Sequence, residues 1–199
     1  MFSTDETVMD VIFPMLSINN IDILHRQMIY TILCNGNFKH SLEIGSWDGG
    51  SAPAFIEAIN KCRLMSADFC DINFQPRFFE VLKTCVRPEK IICHNCKSID
   101  VKYDKYDFVF VDGDHSLENV TAETKLLLSC KVETIMAHDT NIMPGPAHLM
   151  SELLRNGYYV LHDCKKRENS HTDRGLMFAT TNYDIFSKVQ LLFFLCDMI

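Results

Sequence analysis

Apolar residues fall in short runs separated by amphipathic stretches, and the alternation repeats along most of the chain. Residues 41–44 (SLEI) form one such run. The glycine-rich turn 45–51 (GSWDGGS) closes it, and the following APAFIEAIN reads as a helix. Residues 63–67 (RLMSA) predict a second strand, with Asp68 at its end. A helix over 76–84 follows, with Pro88 in the next turn, then a third strand over 90–94. Residues 107–111 (DFVFV) are the clearest strand, a continuous apolar run of the kind buried on both faces. Ser116 is placed to cap a helix reaching 128, and residues 134–137 predict a fifth strand. Pro144-Gly145-Pro146 breaks the chain before a helix over 147–155. Residues 158–161 and 176–179 read as two late strands, a hairpin joined by the polar loop 163–174. Segment 183–199 suits a helix or a strand equally. Upstream, Ser3 and Glu6 have capping-box spacing for a helix over 4–13. Asn20 can cap a second helix with Ile21, Leu24, Met28 and Ile32 on one face, ended by Gly36.

Strand and helix alternating five times predict an α/β fold: Rossmann-like and doubly wound, with a mainly parallel sheet, helices on both faces and a C-terminal antiparallel hairpin. No repeat, low-complexity tract or linker divides the chain. A single domain over 1–199 is expected, with N-terminal helices in 1–36, the core in 37–181 and a C-terminal segment in 182–199.

Composition narrows the partners. The 47% apolar and 23% charged content are those of an ordinary globular chain, which excludes general disorder. A net charge of −7 argues against nucleic acid or an anionic membrane surface, and Lys165-Lys166-Arg167 is too short a basic run to reverse that. No apolar run reaches the ~18 residues of a membrane span. The first residues carry Asp5, Glu6 and Asp10 and no basic region, so no signal peptide is expected. Nine scattered cysteines then read as reduced thiols in a cytoplasmic protein. Cys93 and Cys96 form a lone CxxC, read as two buried thiols rather than a zinc or redox pair. His162, Cys164 and His171 have irregular spacing for zinc. The Phe193-Phe194 run suits a core position or a homo-oligomer interface.

Polar residues gather where the apolar strands end: Glu43, Asp68, Asp112 and the pair His138-Asp139. Ligands bind outside the carboxyl ends of strands in an open α/β sheet. The first turn is ExGxxxG (Glu43, Gly45, Gly49), not the GxGxxG of dinucleotide binders. Asp68 lies 25 residues after Glu43, close to the spacing of a ribose-binding acid. A carboxylate accepts from both ribose hydroxyls, so a nucleoside-bearing cofactor fits. Asp68 also fits an ordinary turn position.

SLEIGSWDGGS, an acid after the second strand, then FVFVDGDHSLENV and IMAHDT, together resemble a class I S-adenosylmethionine (SAM)-dependent methyltransferase. More narrowly, they are similar to the small metal-dependent O-methyltransferases that include macrolide-sugar methyltransferases and cephalosporin-hydroxylase-like proteins. The resemblance covers residues 20–180. It implies that Gly45, Ser46, Gly49 and Ser51 wrap the methionine part of SAM, with Glu43 near its amino end. It places Asp68 on the ribose and Ser98 at the adenine, although Cys96-Lys97 stand where relatives carry a small acidic motif. Asp112 and Asp139 would be metal ligands and His115 the general base. His138 stands where relatives carry an acid or amide; it is either a ligand or a satisfied histidine near the core. Oxygen ligands suit magnesium, whereas an imidazole favours a transition metal. His115 likewise fits either the catalytic base or a turn residue beside the helix-capping Asp114 or Ser116.

The implied activity is methyl transfer to a hydroxyl of a small molecule, a sugar or vicinal diol, with a divalent ion assisting. Two other functions fit the same residues. One is a non-catalytic cofactor-binding or scaffold subunit of this fold. The other is a nicotinamide-dependent oxidoreductase, against which the missing GxGxxG counts.

Overall fold

The computed structural model describes residues 23–61, 65–164 and 174–196, with the backbone alone at 195 and 196. The helix expected over 4–13 lies outside the described residues, as do Lys165-Lys166-Arg167 and His171.

Helix α1 (Ile23–Asn35) precedes β1 (His40–Ile44), α2 (Ala52–Lys61) and β2 (Ser66–Cys70). Then come α3 (Pro76–Leu82), β3 (Ile91–His94), β4 (Phe108–Val111) and α4 (Leu117–Ser129). The chain continues through β5 (Thr134–His138), α5 (Pro144–Arg155), β6 (Tyr159–Asp163), β7 (Leu176–Thr180) and α6 (Tyr183–Cys196). The strands form one seven-stranded sheet in the order β3-β2-β1-β4-β5-β7-β6. β1 to β5 pair in parallel, and β7 runs antiparallel to both β5 and β6. The expected fold class is therefore the observed one, with β7 inserted between β5 and β6. The strand order reverses at β1 and β4, and their carboxyl ends open a crevice there.

Period-two alternation assigns each strand residue to one of two cores. Phe108 and Phe110 of β4 pack with Phe55 of α2, Met28 of α1 and Phe193 of α6 on one face. Val109 and Val111 pack with Val120 and Leu127 of α4 and Leu149 and Leu153 of α5 on the other. β4 is buried at every residue, as its unbroken apolar run requires. Segment 183–199, undecided from its pattern, is helical over α6: Ile185, Val189 and Phe193 recur every four residues and bury against the first face. Phe193 belongs to that core, whereas Phe194 is exposed.

Boundaries moved where local signals were weak. The second strand begins at Ser66 and ends at Cys70, three residues later than expected, because Asp68, Phe69 and Cys70 continue its pairing with β1. α5 starts at Pro144, since a proline in the first turn of a helix loses no hydrogen bond. Ser116 caps α4 as expected, its side chain accepting from the Asn119 N–H.

Candidate functional site

The turn after β1 sets the floor of the site. Gly45 has φ +84°, and a Cβ there would lie 2.2 Å from the Asp112 carbonyl. Only glycine lets the end of β1 pass this close to the end of β4. Gly49 also has positive φ and closes a turn by donating to the Ser46 carbonyl. The helix α2 then starts behind Ser51.

A cavity of about 850 Å³ opens above this turn. Gly45, Ser46, Trp47 and Ser51 line it from the first turn, Asp71 and Ile72 from the end of β2, and Ser98 and Ile99 after β3. Asp112 and His115 line it after β4, and Asp139 and Arg174 at its far side. Most of the residues singled out in the sequence thus meet in one crevice, over the carboxyl ends of β1, β2, β4 and β5.

Four do not line it: Asp68, Glu43, Gly49 and His138, which is wholly buried beside it. Asp68 sits in the middle of β2, about 7 Å below the strand end at ~3.3 Å per residue. Its carboxylate accepts from Lys105 (2.7 Å) and Tyr106 (2.6 Å) and pairs with His94 (2.8 Å). Burial alone would raise its pKa, but these three partners hold it below the ordinary value. It is a satisfied structural acid, and Asp71 occupies the strand end instead. The Asp71 carboxylate accepts the Trp47 N–H at 2.8 Å and the Asn73 N–H at 2.7 Å, which ties the first turn to the end of β2. Glu43 is fully buried beneath the turn rather than exposed to the cavity. Burial pushes its pKa up to about 8, against the lowering effect of the Ser51 hydroxyl that donates to it. Gly49 packs under the turn against Phe78 and does not reach the cavity wall.

Ser98 lies on the wall, and behind it Glu123 of α4 is buried and accepts from the Asn119 side chain at 2.8 Å. The CxxC does not act as a pair: Cys93 is exposed on β3, whereas the Cys96 thiol lies 3.9 Å from that of Cys70. His162 is taken up by the Thr140 hydroxyl at 2.9 Å, so it is not poised for zinc with Cys164.

At the β4/β5 end lies a compact polar cluster. His138 Nδ1 is 3.5 Å from Asp112 Oδ1 and 3.4 Å from Asp139 Oδ1. His115 Nε2 is 3.4 Å from Asp112 Oδ1 and 3.6 Å from Asp139 Oδ2. Asp139 has φ +58°, a left-handed conformation that an aspartate tolerates at modest cost. His138 is wholly buried, and Asp139 nearly so. Yet His138 Nδ1, Asp139 Oδ1 and His115 Nε2 are buried without a hydrogen bond. Such orphans cost roughly 1–3 kcal/mol each unless something else satisfies them. Asp112, His138 and Asp139 each offer an atom within 4.8 Å of the others, the spacing of ligands around one cation. The donor set therefore fits a divalent ion.

The charges inside the cluster confirm its coupling. Burial would raise the Asp112 pKa, but His138 and His115 hold it below the ordinary value. The His115 pKa is raised, chiefly by its hydrogen-bonding proximity to Asp112. Burial lowers that of His138, and the Asp112 and Asp139 charges outweigh it to raise the net value.

No family model matches the sequence, and no curated relative is found. Solved structures do match. An O-methyltransferase from Bacillus cereus in complex with SAH aligns at TM-score 0.66 and 13% identity, covering 92% of this chain and 93% of that one. The Streptomyces achromogenes O-methyltransferase TomG, in complex with SAM and involved in tomaymycin synthesis, aligns at 0.62 and 13%, covering 89% and 90%. The SAH-bound Podospora anserina methyltransferase PaMTH1 aligns at 0.61 and 12%, covering 87% and 86%. Identity this low speaks for architecture alone: the chain has the Rossmann-like fold of these methyltransferases over nearly its whole length.

Proposed function

We propose that this chain transfers the methyl group of SAM to a hydroxyl oxygen of a small molecule, a sugar or another vicinal diol, with a divalent ion bound at the β4/β5 end. The observation that carries the reading is the convergence of unpartnered buried atoms from His115, His138 and Asp139 beside Asp112, at the edge of a cavity floored by the Gly45 turn. Methyltransferases of the same fold, crystallised with SAM or SAH, support the choice of cofactor.

The sulfonium methyl is already a good electrophile. The chain has to hold the cofactor, align an oxygen with the methyl carbon, and remove a proton. The turn from Gly45 to Ser51 would receive the methionine portion. Asp71 would accept the ribose hydroxyls, since a carboxylate holding two N–H groups keeps further lone pairs. Ser98 and Ile99 would border the adenine. Asp112, His138 and Asp139 would hold the ion, which in that place lowers the pKa of an acceptor hydroxyl. His115 borders the same space and would take the hydroxyl proton as the O–C bond forms and the S–C bond breaks. The products are a methyl ether and S-adenosylhomocysteine. Alignment of the two substrates supplies much of the rate.

The test joins calorimetry with an acceptor panel of sugars and vicinal diols. The expected result is SAM binding in preference to a nicotinamide dinucleotide. Methyl transfer should then stop on chelation and return with a divalent ion. SAM binding with no product across the panel would leave a non-catalytic cofactor-binding subunit. Activity indifferent to chelator would remove the ion.

A further inference from the structure

The buried cluster does not stop at His138. Behind it, His25 of α1 and Asp163 of β6 continue a hydrogen-bonded chain into the interior. His25 Nδ1 lies 3.1 Å from His138 Nε2, and His25 Nε2 lies 3.1 Å from Asp163 Oδ2. All three side chains are at most 5% exposed, and they come from three different elements.

The chain has a direction. With Asp163 ionised it only accepts, and a neutral His25 then donates to it from Nε2. Its Nδ1 then carries the lone pair, and His138 donates from Nε2. That leaves His138 Nδ1 as a bare lone pair aimed at two carboxylate oxygens 3.4 and 3.5 Å away. Arg174 Nη1 reaches one of these oxygens, Asp139 Oδ1, at 3.6 Å, and the three acceptors facing one another there suit a cation placed among them.

We propose that Asp163 and His25 are positioning residues that hold His138 in the tautomer required for metal ligation. The ion they prepare for is a borderline transition ion of the zinc or cobalt kind rather than magnesium. The inference rests on the ion-assisted reading above and deepens it. Magnesium takes oxygen ligands in near-octahedral order, whereas an imidazole in the set suits the later divalent metals. Outer partners of a ligating histidine fix its ring and raise its basicity, and losing one typically costs about 10–100-fold in affinity.

The test titrates the whole chain with cobalt, zinc and magnesium, following heat and the visible spectrum of bound cobalt, which reports nitrogen ligation. Cobalt and zinc are expected to bind at least about tenfold more tightly than magnesium. D163N and H25Q are expected to weaken cobalt about 10–100-fold and change its spectrum, with magnesium unmoved. Circular dichroism confirms that each variant is folded; should H25Q not fold, D163N, which keeps the shape of the side chain, decides. A wild-type chain that binds no divalent ion overturns the ion-assisted reading and this inference together. Magnesium binding as tight as cobalt overturns this inference alone. So do folded variants with wild-type cobalt affinity and spectrum.

Discussion

Two aspartates three residues apart, one within β2 and one just past its end, have opposite fates. Asp68 points into a pocket of donors (Lys105, Tyr106 and His94) within the body of the sheet, while Asp71 leaves the strand and faces the cavity. Their substitutions should separate cleanly. Asp71→Ala is expected to lower SAM affinity at least tenfold, with a smaller fall in melting temperature than Asp68→Ala, since the two N–H groups it frees lie at the surface. Asp68→Ala leaves Lys105 and Tyr106 without their acceptor. It is expected to cost about 2–3 kcal/mol of stability while the folded fraction still binds SAM. Calorimetry beside thermal denaturation decides; equal SAM binding by wild type and Asp71→Ala would sink the ribose assignment. Spacing counted from Glu43 favoured Asp68, because the end of a strand is the least legible part of it.

At the scale of elements, the site depends on β1 and β4 ending side by side. The contact is backbone on backbone: the space beside Gly45 is filled by the Asp112 carbonyl and the Gly113 Cα. Gly45→Ala adds a methyl group where φ is already positive. The strain alone is worth about 1–3 kcal/mol, and the clash has to move either the turn or Asp112. Both SAM affinity and ion affinity are therefore expected to fall together in this one variant, by at least tenfold each in calorimetry. A variant that lost SAM binding with its ion site intact would show that the two ends are not mechanically joined. α1 matters in another way. It covers the sheet with Met28, Ile29 and Ile32, and through His25 it also reaches the polar cluster.

Over the whole molecule, the cluster makes stability depend on pH and on ions in opposite directions. His115 and His138 both have pKa values raised above the ordinary 6.5. A raised folded-state value stabilises the ion-free chain below the unfolded pKa, and that contribution is lost as pH climbs through the folded value. A divalent ion needs the same nitrogen free, so its contribution grows over the same interval. The rise in melting temperature produced by a saturating ion is thus expected to be small near pH 6 and larger near pH 8. At 100 times the dissociation constant it is worth about 2.7 kcal/mol. A shift that is flat or falls with pH would disprove competition between proton and ion.

Strand–helix alternation, the buried run at β4, the cap at Ser116 and the glycine turn were all legible along the chain. Each is written in neighbouring residues through periodicity, capping chemistry or backbone freedom. Asp112, His115, His138 and Asp139 were legible as candidates because strand ends mark where an open sheet binds ligands. Two things were decided only by folding. The exact end of β2 depended on its register with β1, which exchanged Asp68 for Asp71 at the cavity. The meeting of His25, His138 and Asp163 joins residues 113 and 138 positions apart. A histidine on an apolar helix and an aspartate ending a strand carry no local sign of each other. Packing of α1 on the sheet, and a strand order that sets only β7 between β5 and β6, bring them together and give the buried His138 a partner behind it.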